Sequence, residues 1–415
     1  MFLEKEGKLI YSYDGETVCI EAWGKDALRV RATKNRSFTG RDWALEAKDA
    51  HAGEVEIFED PSAKGGAFAN MYEGTDTSYG KITNGKLHAV IDSGSVITFY
   101  HEDGRVLLKE HFRRLRDEES MPLNIMGREY SNGVGDNFRI VARFVARKGE
   151  KIFGMGQYQQ HELDLKGCML ELAQRNSQVS VPFYLSSIGY GFLWNNPGVG
   201  QVMFANNGTE WVTESGKEID YLVIAGDTPA EIEENYMTLT GKPPMMPEYG
   251  MGFWQCKLRY WNQEQLLSVA RKYKELGVPL DVIVVDFFHW TKQGEFKFDP
   301  KYWPDVPGMC RELKEMGIQV VVSVWPTVDI YSENFEEMKE KGYLVRTEHG
   351  VPLTMLCGGN EVFFDATNPD ARTYVWEKIK KNYYDQGAKL FWLDVAEPES
   401  VSYTHLRAHE TRGNL

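Results

Sequence analysis

The sequence predicts two domains in tandem, an antiparallel β-sandwich followed by parallel β/α units. Three observations carry that expectation. Residues 1 to about 225 hold short runs of alternating apolar and polar side chains, set apart by turn dipeptides. Residues 243–247, Pro-Pro-Met-Met-Pro, read as a stiff connector. Beyond it, apolar strand runs alternate with helix-period segments, the order that builds a parallel sheet with right-handed crossovers.

In the first part, alternation is plain in residues 27–33 (ALRVRAT) and 95–100 (SVITFY). Asp14-Gly15, Asn84-Gly85 and Asp103-Gly104 lie between apolar runs and suit two-residue hairpins. Residues 151–160 (KIFGMGQYQQ) and 181–196 (VPFYLSSIGYGFLWNN) flank a polar stretch, Gln174-Arg175-Asn176-Ser177-Gln178. That pattern fits either a strand pair with a long loop or a loop reaching over a neighbouring pocket. Thr228 can cap a helix that has Pro229 in its first turn and Glu231 to complete a capping box, ending near Gly241.

The second part starts with a strand over 250–255. A helix follows on Leu266, Leu267, Ala270 and Tyr273, ended by Gly277. Residues 280–286 (LDVIVVD) form a buried strand, 307–316 a helix and 318–325 a third strand. Ser332 can cap a short helix reaching Lys341. Residues 343–368 are an excursion of small strands and turns, and Asn368-Pro369 opens a helix to about Gln386. Residues 389–394 (KLFWLD) form the fourth strand. A doubly wound open sheet and an eight-fold barrel both accommodate four such units. No Gly-rich phosphate loop follows a strand, which disfavours nucleotide binding.

The 415 residues suffice for two to three domains. A net charge of −14 argues against nucleic acid or an anionic membrane as partner. No apolar run approaches the roughly 18 residues of a membrane helix, and no signal peptide is visible. The five cysteines are scattered, without metal spacing. They read as free thiols of a reducing compartment, so a cytoplasmic location is expected.

Three strand tips carry candidate chemistry. Asp286 is followed by Phe287, Phe288, His289 and Trp290; Trp325 precedes Pro326-Thr327-Val328-Asp329; and Trp392 stands two residues before Asp394. Carboxylates and aromatic rings on one rim suit a polar, ring-shaped ligand, and in a parallel barrel the C-terminal strand tips are where catalytic groups sit. Each residue also has a plain structural alternative: a strand-end Asp capping a turn, or a ring packed in a core. His289 and Trp290 divide evenly between pocket wall and core. Lys257 and Arg259 follow the first strand and could reach the rim.

The motifs VIVVDFFHW (282–290), FKFDPKYWPD (296–305), VVVSVWPTVD (320–329) and KLFWLDVAEPE (389–399) resemble the catalytic barrel of glycoside hydrolase family 31. FGMGQ and VPFYLSSIGYG resemble that family's N-terminal sandwich. The resemblance spans nearly all of residues 1–400 and is nearest to bacterial α-xylosidases acting on xyloglucan-type oligosaccharides. It implies two segments, a galactose-mutarotase-like sandwich over 1–245 and the first half of a (β/α)8 TIM barrel over 246–400, and leaves a tail over 401–415 outside the resemblance. It implies a retaining α-glycosidase with Asp394 as nucleophile, its acid/base Asp lying beyond the end of this chain. Glu397 is then a supporting partner and Glu399 a loop residue.

Asp286 would hold sugar hydroxyls. Phe287 and Phe288 would narrow the space near C6 of a hexose and so favour xylose. Trp325 would line the first subsite, with Trp392 beside the nucleophile. Trp392 stands where some α-xylosidases carry Lys, and Val395 where a polar residue is common. The expected ligand is an oligosaccharide, with no cofactor and no metal; a homo-oligomer of the full-length protein is left open. An α-glucosidase and a non-catalytic carbohydrate-binding remnant are the alternatives. Residues 401–411 (VSYTHLRAHET) resemble a translated sequencing adapter, so 401–415 are expected to be non-native and the chain by itself inactive.

Overall fold

The computed structural model describes residues 1–46, 49–59, 78–111, 125–346, 350, 354–355 and 360–396. The expectations for Glu397, Glu399 and the 401–415 tail lie outside these residues. The chain divides into two compact units, Met1–Pro243 and the residues from Pro244 onward.

Among its described residues the first unit is built from three antiparallel sheets of nine, five and five strands. All three contribute to one core, which includes Leu9, Ile20 and Val223 of the large sheet, Ile82 and Phe99 of the second, and Phe144 and Trp211 of the third. Strand Ile219–Ala225 shows why the large sheet is buried on both faces. Its Tyr221, Val223 and Ala225 enter the sandwich core. Its Leu222 and Ile224 alternate to the other face and pack with Ile232 and Leu239 of helix α1 (Pro229–Thr240). Thr228 caps α1 by accepting from the Glu231 N–H at 3.2 Å, while the Glu231 carboxylate accepts from the Asp227 N–H at 3.0 Å.

Aromatic rings fill this core: Trp211 lies 5.2 Å from Phe192 and 5.5 Å from Trp194. The stretch 174–178 closes as a tight turn, with Ser177 at φ +68° and the Gln174 amide clamping both backbone groups of Ser180. At Asn84-Gly85 the hairpin is offset by one residue from the expected turn. Asn84 pairs with Leu87, so Gly85 (φ +56°) and Lys86 form the loop.

Among its described residues the second unit carries four parallel strands in sequential order, β1 (Trp254–Gln255), β2 (Val282–Val285), β3 (Gln319–Val324) and β4 (Leu390–Leu393). Helix α2 (Gln263–Glu275) joins β1 to β2, and α3 (Val306–Glu315) joins β2 to β3. Between β3 and β4 lie α4 (Phe335–Glu340), a small three-stranded sheet and α5 (Pro369–Ile379). Ile283, Val285, Val320, Val322 and Val324 point to the helices and form the main core. Val282, Val284 and Val321 point to the opposite face.

Two expectations are corrected. The first strand does not run over 250–255. Residues Glu248–Met251 form a 3-10 turn instead, because the Gly250 N–H bonds back to the Pro247 carbonyl at 2.8 Å and Asp281 claims the Phe253 N–H at 3.0 Å. Ser332 does not cap α4. Its hydroxyl has no partner among the described residues, and Asn334 stands at the cap position with its amide turned to the Gly294 carbonyl at 2.9 Å. Among the described residues no helix is long and apolar enough to cross a membrane.

Candidate active site

Strand alternation decides which side chains meet. In β2, residues 282, 284 and by continuation 286 share the face away from the helices. The β2–β3 register, Val284 with Val321, extends that face through Ser323 to Trp325. The β3–β4 register, Val321 with Leu390 and Ser323 with Trp392, extends it to Asp394. Trp254 pairs with Val282 and brings Cys256 to the same side. Asp286, Trp325, Asp394 and Cys256 thus occupy the C-terminal ends of four adjacent strands on one face.

Asp394 is half-buried and its position is fixed by three bonds. Its N–H donates to the Val324 carbonyl at 3.0 Å. Its Oδ2 accepts from Trp325 Nε1 at 3.1 Å, and its Oδ1 accepts from the Val395 N–H at 3.0 Å. Asp286 repeats part of this arrangement: its Oδ1 accepts from the Phe287 N–H at 2.8 Å, and its Oδ2 faces Cys256 Sγ at 3.4 Å. Both turns carry a non-glycine residue in the left-handed region, Phe288 at φ +62° and Val395 at φ +54°. For a β-branched valine that conformation is a strained outlier, the kind that clusters at functional sites.

The rings form one wall. Phe287 lies 5.1 Å from Trp325 and 4.4 Å from Phe288, and Trp290 lies 5.8 Å from Trp325. Trp392 stays outside this ring cluster; it shares the Asp394 face by register but is 45% exposed.

His289 belongs to the core. It is buried between Trp290, Phe298 and Tyr383. Its Nδ1 lies 3.0 Å from the Asp286 carbonyl and its Nε2 2.9 Å from the Tyr383 hydroxyl. A carbonyl only accepts, so Nδ1 carries the proton and Nε2 accepts from Tyr383. Tyr383 sits in the π-helical turn Lys380–Tyr384, and its ring lies 6.3 Å from Phe391 of β4. The pair therefore ties the Asp286 turn to the strand that bears Asp394.

Burial pushes the His289 imidazole down to about 4 from 6.5, against the Asp286 carbonyl bond, which favours its charge. With the folded pKa depressed, the unfolded chain binds the proton more tightly. The stabilisation is therefore whole above about pH 6.5 and is lost as pH falls toward 4. The full difference is about 3 kcal/mol. Melting temperature should drop between pH 7 and pH 5, and His289→Asn should flatten that drop; parallel pH curves for the two proteins would contradict this.

Cys256 had no signal in the cysteine spacing, since a scattered thiol carries none; only the parity of β1 places it beside Asp286. Burial and the adjacent carboxylate push its thiol up to about 11, so it remains a protonated, weak donor.

A sandwich followed by parallel β/α units, with two oriented carboxylates and an indole at adjacent strand tips, has the build of a barrel glycoside hydrolase. Comparison with known proteins sharpens that class. Residues 17–202 match the glycosyl hydrolase 31 N-terminal galactose mutarotase-like domain, and residues 243–414 the glycosyl hydrolases family 31 TIM-barrel domain. The chain is 44% identical over 412 residues to an uncharacterized family 31 glucosidase, ORF2, of Pseudescherichia vulneris, covering 97% of this chain and 74% of that one. It is 31% identical to α-xylosidase A of Aspergillus niger, covering 96% of this chain and 54% of the relative. A crystal structure of a family 31 α-xylosidase from a soil metagenome, complexed with xylose, superposes with a TM-score of 0.89 at 46% identity, covering all of this chain and 62% of that one. The chain belongs to glycoside hydrolase family 31.

Proposed function

We propose that the complete protein is a retaining α-glycosidase that removes terminal, non-reducing α-linked xylose from oligosaccharides. The observation that carries the reading is the Asp394 carboxylate, held at a strand tip by Trp325 Nε1 and the Val395 N–H on the same face as Asp286. One Asp394 oxygen attacks the anomeric carbon as the bond to the leaving oxygen breaks, giving a β-linked glycosyl ester. An acid/base carboxyl gives its proton to the leaving oxygen, then takes one from the water that cleaves the ester. Asp286 is not that group. It lies two strand spacings from Asp394, roughly 10 Å along the sheet, whereas retaining pairs stand about 5–5.5 Å apart. Its place suits the hydroxyls of the bound sugar. The resemblance to the family implies an acid/base Asp beyond the end of this chain, which spans 62% of its metagenomic relative.

The test is hydrolysis of aryl α-xyloside and aryl α-glucoside by the complete protein, with the first-formed anomer read by NMR. Faster xyloside cleavage with α-xylose released first supports the proposal, whereas β-xylose as first product would sink the retaining mechanism. Preference for the glucoside favours the second reading, an α-glucosidase, which the name of the Pseudescherichia relative supports. The Phe287–Phe288 wall sets the expected balance. Phe287→Ala should raise the glucoside-to-xyloside ratio of kcat/KM by roughly tenfold or more, the scale of about one methylene of pocket space. An unchanged ratio would assign Phe287 to packing alone.

A further inference from the structure

A single peptide plane supports the Asp286 carboxylate. On one edge of it the Phe287 N–H donates to Asp286 Oδ1 at 2.8 Å. On the opposite edge the Asp286 carbonyl accepts from His289 Nδ1 at 3.0 Å. A trans peptide is planar, so its carbonyl and its N–H point in opposite directions and turn together. The imidazole that fixes the carbonyl therefore also fixes the N–H that holds the carboxylate.

The imidazole is pinned in turn. The Tyr383 hydroxyl donates to its Nε2 at 2.9 Å, and both side chains are buried, away from solvent that could replace that donor. The Asp299 N–H holds the His289 carbonyl at 2.8 Å. The helix that delivers Tyr383 changes its winding to do so. Ala371, Val375 and Ile379 of α5 are buried at every fourth position. A turn takes 3.6 residues, so that spacing drifts around the helix. At Lys380–Tyr384 the helix widens into a π turn, which returns Tyr383 to the buried face. The Asn382 amide secures the turn by donating to the Phe296 carbonyl at 3.0 Å. Single π turns inside α-helices are frequent at functional sites, and this one reaches the Asp286 carboxylate through His289 and one peptide plane.

Resting on the glycosidase reading above, with Asp286 as the group that holds the sugar, we infer that Tyr383 is a positioning residue for the reaction. Its hydroxyl pins His289, His289 sets the peptide between Asp286 and Phe287, and that peptide aims the Asp286 carboxylate at the sugar hydroxyls. The relay carries orientation; no proton moves along it.

A double-mutant cycle in the complete protein tests this, read as kcat/KM on an aryl α-xyloside, or on the glucoside if the wild type prefers it. Tyr383→Phe removes the hydroxyl and keeps the ring against Phe298 and Phe391. It should lower kcat/KM roughly tenfold, the scale of a buried acceptor left without its donor. In an Asp286→Ala background the same change should cost less than about twofold, because no carboxylate remains to be aimed. Phe298→Leu disturbs the same ring packing without touching these hydrogen bonds, and should cost an equal factor in both backgrounds. If Asp286→Ala turns over too slowly to assay, the cycle is read on xylose affinity from tryptophan fluorescence. An equal loss from Tyr383→Phe in both backgrounds, or a wild-type kcat/KM in the single variant, overturns the inference. A wild type that cleaves neither glycoside overturns the glycosidase reading itself, a result separable from the first.

Discussion

Asp394→Ala in the complete protein should lower kcat by ~10⁴-fold or more, the scale seen when a catalytic nucleophile is removed. That corresponds to about 5 kcal/mol of transition-state stabilisation. Binding should persist, because Asp286, Trp325 and Phe287 remain in place. The fold should persist as well: Asp394 is half-buried, and its partners, the Trp325 indole and the Val395 N–H, sit at a strand tip. Added azide should restore part of the rate. It would attack the anomeric carbon from the face the carboxylate used, expel the α-linked leaving group, and give a β-glycosyl azide. A variant that keeps a tenth of the wild-type rate, or a product of the opposite anomeric configuration, would contradict the assignment.

Arg128→Ala should destabilise the sandwich by about 3–5 kcal/mol, the cost of leaving buried charges without their partner. The Arg128 guanidinium meets Glu16 through Nε and Nη2, both at 2.9 Å, and meets Glu110 through Nη1. It also donates to the Ser95 carbonyl and hydroxyl at 2.8 and 2.7 Å. Tyr130 donates to Glu16 at 2.8 Å, and Tyr221 and the Ile97 N–H donate to Glu110 at 3.3 and 3.0 Å. Burial pushes the Glu110 carboxyl up and Arg128 opposes it, leaving it raised. Burial pushes Glu16 up as well, but Arg128 and Tyr130 outweigh that and leave it lowered.

Without Arg128, the donors from Tyr130, Tyr221 and the Ile97 N–H remain, but burial should outweigh them at both carboxyls. Their folded pKa values then lie above the unfolded ones, so the folded variant holds protons that the unfolded chain releases. The deficit should therefore shrink as pH falls through the range between the two. Urea unfolding of wild type and variant at pH 7 and pH 5 checks the size and the sign. A deficit below about 1 kcal/mol, the range of exposed pairs, would show the network to be dispensable.

The contrast between these two sites explains what was legible in the sequence. The runs 282–285 (VIVV) and 320–322 (VVV) announce themselves because strands buried on both faces favour unbroken Val and Ile. Once β2, β3 and β4 are placed, period-two alternation alone sends Asp286, Trp325 and Asp394 to one face. The Arg128 cluster has no such signature, because Glu16 and Arg128 are 112 residues apart and nothing local links them. The same holds for His289 and Tyr383, joined across 94 residues. Short-range signals failed where a backbone group found a competing partner. The Phe253 N–H went to Asp281 rather than to a longer β1, and the Asn334 amide went to the Gly294 carbonyl rather than to a helix cap. Trp392 shows the remaining limit: alternation fixes its face, but the ring cluster forms without it.

The central claim is that Asp394 forms a covalent bond to the sugar. Incubating the complete protein with a fluorinated xylosyl fluoride that forms the ester quickly and hydrolyses it slowly, then mapping the adduct by peptide mass spectrometry, tests it most directly. The account predicts one equivalent of sugar esterified to the peptide that contains Trp392, Leu393 and Asp394, with loss of activity in step. An adduct on another carboxylate, or full turnover of xylosides with no trappable ester, would contradict it.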